Sequence, residues 1–122
     1  MSYYCVWIDD ERPIPSDMTA LKDGSKYNIW TKTTNDAVKA VRRKYKEGVR
    51  NFMLDIDNDT EDALKNEHGG EFYNVLQNLE WYIHSGRMTD MNILVRIHTG
   101  NAPARQRMRD LINANSCFTE IL

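Results

Sequence analysis

No stretch of the 122-residue chain holds the roughly 20 consecutive apolar residues that a membrane-spanning helix needs. Its first residues also lack the cationic segment and apolar core of a secretory leader. The expectation is a cytoplasmic protein, or one of the host cytoplasm if its source is viral, with no membrane partner. Cysteine is scarce as well. Cys5 and Cys117 stand at opposite ends with no Cys-x-x-Cys or Cys/His spacing, so they read as two buried small hydrophobes and give no ground for zinc. An excess of charge of one sign is missing too. Sixteen Lys and Arg face 18 Asp and Glu for a net charge of −2, and the cations are scattered along the chain, so no extended nucleic-acid surface is evident. That leaves room for an RNA end held by a few contacts, and names no protein partner. Repeats, linkers and low-complexity tracts are absent, and the length fits one domain over residues 1–122.

What is present is a pattern repeated three times, in which a short apolar run ends in polar groups. Tyr4-Cys5-Val6-Trp7-Ile8 runs into Asp9-Asp10-Glu11-Arg12-Pro13. Phe52-Met53-Leu54 runs into Asp55, Asp57 and Asp59, and Ile93-Leu94-Val95-Arg96-Ile97 into His98-Thr99-Gly100-Asn101. In an open parallel α/β sheet, ligands bind at the carboxyl ends of the strands, so the repetition carries more weight than any one motif.

Strands are expected over residues 3–8, 27–31, 52–55, 92–97 and 117–122. Residues 12–25 hold two prolines, a glycine and scattered apolar residues, which predicts a loop where a crossover helix would otherwise stand. Thr33 or Thr34 caps a helix that buries Ala37, Val38, Val41 and Tyr45 and stops at Gly48. Phe72, Val75, Leu76, Leu79 and Ile83 mark a helix over residues 71–84, closed by Gly86. A third helix, capped by Asn101, carries Pro103 in its first turn and turns Met108, Leu111 and Ile112 inward. The alternation predicts an α/β fold: a doubly wound, mostly parallel five-stranded sheet covered on both faces, in flavodoxin-like order, with the first crossover helix shortened or replaced by a loop. Residues 57–70, polar and aperiodic, read as a mobile loop beside the site.

Carboxylates brought together raise one another's pKa unless a hard cation neutralises them. Asp9, Asp10 and Asp55 fit the oxygen-ligand demand of Mg²⁺ or Mn²⁺. The imidazole of His98 suits a general acid or base, with Asp57 as the other candidate. Gly100 and the amides from Asn101 onward at a helix start can receive phosphate, helped by Arg12 and Arg105. The plainer alternatives are that Asp9 and Asp10 are turn residues, Asp57-Asn58-Asp59 a solvated loop, and His98 a hydrogen-bonded structural residue.

At these positions the chain resembles response-regulator receiver domains, with Asp9 and Asp10 as metal carboxylates, Asp55 as phosphoacceptor and Thr99 as switch hydroxyl. It is still more similar to the cyclic-phosphate-processing receiver-like family, whose pattern runs WLDDxRxP, LDHDLG, a GxxxL helix, and HSxN followed by Met. Here these read Trp7-Ile8-Asp9-Asp10-Glu11-Arg12-Pro13, Leu54-Asp55-Ile56-Asp57-Asn58-Asp59, Gly70 through Leu76, and His98-Thr99-Gly100-Asn101 with Met108. Ile56 stands where that family has His, removing half of an acid-base pair, and Ala104 replaces a common glycine. No Lys follows Lys65, so the Lys of conventional receivers is missing. The resemblance implies a metal-dependent phosphoesterase acting on a cyclic or nucleotide phosphate, either a small molecule or an RNA end. Two other classes stay open: a non-catalytic phosphate-binding module, and an interaction domain phosphorylated at Asp55.

Overall fold

The computed structural model describes residues 2–57, 71–98 and 102–122. Among them the apolar runs form five strands: β1 (Tyr4–Ile8), β2 (Ile29–Thr31), β3 (Asn51–Ile56), β4 (Asn92–Ile97) and β5 (Phe118–Glu120). Three helices alternate with them: α1 (Thr34–Lys46), α2 (Tyr73–His84) and α3 (Ala102–Asn113). Every strand pairing is parallel, and the order β2-β1-β3-β4-β5 is the flavodoxin-like one.

Local signals explain where the helices begin and end. Thr33 caps α1 by accepting a hydrogen bond from the Asp36 amide at 3.1 Å. Gly48, at φ +102°, ends the same helix in a conformation that a residue with a Cβ rarely adopts. The Thr34 hydroxyl donates to the Glu71 carbonyl at 3.0 Å, which fastens the start of α1 to the turn before α2.

The two faces of the sheet are built differently. Val6, Ile8, Leu54, Ile56, Val95 and Ile97 point to one side and share a core with residues of all three helices. On the other side Cys5 and Met53 are buried with Ala20, and Leu21, Tyr27 and Leu94 pack around them. Both faces are covered as expected, the second chiefly by the β1–β2 connection, which takes the form of a loop where a crossover helix would otherwise stand. The handedness of crossovers accounts for this. β2 lies on the opposite side of β1 from β3, so a right-handed β1–β2 connection falls on the face opposite the other three connections. With Pro13, Pro15 and few apolar residues, that connection cannot form an amphipathic helix. Burial there pushes the Cys5 thiol up to about 11, which makes it a packing group rather than a reactive thiolate.

Because the thick core is one-sided, truncation should be felt unequally. Leu76→Ala, on the buried face of α2 with no exposed surface, is expected to lower unfolding free energy by about 3 kcal/mol. Leu94→Ala, half-buried under the connection, should lose only about 1 kcal/mol. Urea unfolding of the two variants checks this, and equal losses would contradict a one-sided core.

Candidate functional site

Strand register gathers the polar groups. Ile8 pairs with Ile56 and Ile56 with Ile97, so the next residue of each strand falls into one row: Asp9, Asp57 and His98. The Asp57 amide donates to the Ile8 carbonyl and the His98 amide to the Ile56 carbonyl, both at 2.9 Å, which carries the ladder into this row. One pleat lower on the same face lies a second row, Trp7, Asp55 and Arg96.

His98 occupies the centre of the arrangement. Its ring stacks on Trp7, with centroids 4.4 Å apart and planes 7° from parallel. Its Nδ1 is hydrogen-bonded to Asp55 Oδ1, which as a carboxylate oxygen accepts the proton, and its Nε2 lies 3.3 Å from Asp9 Oδ2. Trp7 is held in turn by its indole N–H, which donates to the Arg12 carbonyl at 2.8 Å, and by edge contact with Tyr27. Asp55 is braced on its other oxygen by the Tyr27 hydroxyl and by Arg96 Nη1 at 3.3 Å. Arg96 also donates to the Ala20 carbonyl at 2.9 Å, tying the β1–β2 connection to the same group.

Asp9 divides its two oxygens between structure and site. Oδ1 accepts the Glu11 and Arg12 amides at 2.9 and 2.8 Å and thereby builds the turn after β1. Oδ2 faces outward, to Arg12 Nε at 3.0 Å and to His98. Arg12, 61% exposed, also reaches within 3.6 Å of Asp57 and so bridges two carboxylates. Ligand atoms of Asp9, Asp10 and Asp57 lie within 4.8 Å of one another, and all are hard oxygens suited to Mg²⁺ or Mn²⁺.

This grouping differs by one member from the set Asp9, Asp10 and Asp55 expected from the sequence. Asp57 stands level with Asp9, while Asp55 is a pleat deeper, with both oxygens engaged in holding His98, Tyr27 and Arg96. Asp57, expected as a base, sits with the carboxylates. Asp10 lies just past β1, where the chain has left the strand and adjacent side chains can converge. Arg105 is half-buried in the first turn of α3. Thr99, Gly100 and Asn101, expected to bind phosphate, lie outside the described residues, as does Asp59.

Three contributors escaped the sequence reading. Arg96 had a visible signal, a lone charge inside an apolar run. Trp7 had only its place before the acidic pair, and Tyr27, reaching in from the connection, had none. The departure at Ile56 also changes meaning: its side chain is fully buried in the helix-side core, facing away from Asp55, Asp57 and His98.

A parallel 2-1-3-4-5 sheet with carboxylates beyond its first and third strands defines a receiver-like α/β protein. Residues 4–114 match the family described as Cyclic-phosphate processing Receiver domain, and the chain belongs to that family. No curated protein and no solved structure matches it. Among the described residues no helix is long and apolar enough to cross a membrane.

Burial, and then the bond to Asp55, raise the Tyr27 pKa well above its ordinary 10.0, so the folded chain favours the neutral phenol. The stability this contributes is complete below pH 10 and is lost as pH climbs from there toward the higher folded value. Unfolding free energy should therefore fall more steeply above about pH 10 in the wild type than in Tyr27→Phe, measured by urea denaturation across that range. Parallel curves would remove Tyr27 from the buried network.

Proposed function

We propose that this protein is a metal-dependent phosphoesterase that opens a cyclic phosphate on a nucleotide or an RNA end. The observation that carries the reading is the meeting of a three-carboxylate group with a histidine whose Nδ1 is already held, leaving Nε2 facing that group. Asp9, Asp10 and Asp57 would hold Mg²⁺ or Mn²⁺. Such an ion supplies Lewis-acid polarisation of phosphoryl oxygens and neutralises developing charge.

The chain's own residues do the rest. Asp55 fixes the His98 ring, so Nε2 is positioned to take a proton from water as the water oxygen forms its bond to phosphorus. The P–O bond to one ribose oxygen breaks, and that oxygen receives the proton from His98, leaving a linear phosphate monoester. Arg12, mostly exposed at the edge of the cluster, would present its guanidinium to the phosphate. The buried Asp9 and Asp57 would hold the cation. Because Ile56 faces the core, its difference from the family pattern takes no group from the His98 row.

The test combines Mg²⁺ and Mn²⁺ titration, followed by amide NMR, with ³¹P spectra of 2′,3′-cyclic nucleotides. Shifts at Asp9, Asp10 and Asp57 and conversion of the cyclic to a linear phosphate signal are expected. His98→Ala should lower turnover by about 10² or more while metal shifts persist, and Asp57→Asn should weaken metal binding itself. Metal binding without turnover would leave a phosphate-binding module, and no metal response would sink both readings.

A further inference from the structure

Although cations occur along the whole chain, one segment holds a disproportionate share of them. Seven Lys and Arg lie between Lys32 and Arg50 against two carboxylates, Asp36 and Glu47, in a chain whose net charge is −2. α1 carries most of them. Its helical spacing sets Lys39 four residues before Arg43 and Arg42 four before Lys46, so two like-charged ridges run side by side along the helix. Arg43 and Lys46 sit in the last turn, where the helix dipole favours them, but Lys39 has no such reason, and like charges at this spacing repel.

A groove follows each ridge, and each has an aromatic wall. Between α1 and the β2 edge, a groove of about 360 Å³ is lined by Trp30, Lys32, Lys39 and Arg43 together with one carboxylate, Asp36, and the Lys32 ammonium lies 4.4 Å from the indole centroid. On the α2 side, a groove of about 210 Å³ is lined by Arg42, Tyr45, Lys46, Tyr82 and Arg87, with no carboxylate among its lining residues. Arg42 there lies over the Tyr82 ring at 4.5 Å. Cations paired with aromatic faces beside a groove are the combination that holds a flexible polyanion with stacking bases. The first groove also adjoins the acidic site, because the Trp30 indole N–H donates to the Asp9 carbonyl at 2.7 Å.

We propose that α1 and its two flanking grooves bind single-stranded nucleic acid, with phosphates along the Lys39/Arg43 and Arg42/Lys46 ridges and bases against Trp30 and Tyr82. A single strand is favoured over an acidic protein or an anionic membrane because the aromatic rings stand between the cations. The helix is about 20 Å long, enough for a short run of nucleotides. Binding here does not depend on hydrolysis at the acidic site.

The experiment uses the full chain in EDTA with a fluorescein-labelled oligouridylate of about 12 nucleotides carrying a plain 3′-hydroxyl, read by anisotropy between about 50 and 200 mM salt. Neither a metal nor a cyclic phosphate is present, so failure here leaves the esterase reading intact, and failure of turnover leaves this one intact. Binding that weakens with salt is expected. The double variant Lys39→Ala/Arg43→Ala, at two exposed positions that do not support the core, should bind at least about tenfold more weakly with a shallower salt slope. Trp30→Ala should weaken binding about tenfold while keeping the slope. Absence of binding at low salt, or a double variant that binds like wild type, would overturn the proposal. Equal binding to duplex of the same length, to heparin or to anionic vesicles would overturn the assignment to single strands.

Discussion

The parallel register of β1, β3 and β4 is the constraint from which the rest follows. Ile8, Ile56 and Ile97 form one row on the helix side, and the row beyond it, Asp9, Asp57 and His98, falls on the other. A slip of one residue would exchange the two, placing carboxylates against α1 and α2 and isoleucines in the site. The apolar core under the three helices opposes any such slip, since each strand would lose its buried set. Packing on one face therefore positions the chemistry on the other.

Charge explains how such a row survives burial. Asp9, Asp55 and Asp57 are each almost wholly withdrawn from solvent, and unpaired carboxylates there would be strongly destabilising. Two cations offset them in different ways. Arg96 lies within the sheet, bonded to Asp55 and to the Ala20 carbonyl, and joins β4, β3 and the β1–β2 connection into one network. Arg12 is mostly exposed and touches Asp9 and Asp57 from outside. The inner cation ties β3, β4 and the β1–β2 connection together, while the outer one meets the carboxylates from the solvent side. His98 lies between these two zones, stacked on Trp7, with one nitrogen turned to each.

The elements themselves were legible in the chain. Apolar runs marked the strands, Thr33 and Gly48 bounded α1 as their chemistry requires, and the proline-bearing residues 12–25 announced a connection without a crossover helix. Which carboxylates meet was not legible, because Asp55 and Asp57 have the same parity and only pairing with β1 shows which stands level with Asp9. Tyr27 is a further case: it enters the site from a loop whose path depends on crossover handedness. The basic ridges of α1 stayed hidden for the opposite reason. The helical period was applied to its apolar residues, and the same period, applied to Lys39, Arg42, Arg43 and Lys46, orders the solvent side.

Ile56 shows how a fold can revise a motif. Compared along the sequence, an isoleucine where relatives carry histidine looks like the loss of a proton-transfer partner beside His98. Alternation along β3 makes that inference unsafe, because position 56 points opposite to positions 55 and 57. In this chain it lies with Val6, Ile8 and Leu54 in the helix-side core and contributes apolar burial where an imidazole would need a hydrogen-bond partner. The substitution thus exchanges a polar group at the base of α1 and α2 for packing, and leaves the Asp55–His98–Asp9 line unchanged. Whatever chemistry the site performs must then be sought in that line and in the cation that Asp9, Asp10 and Asp57 can hold, and the identity of residue 56 is better read as part of the core's stability than as a measure of activity.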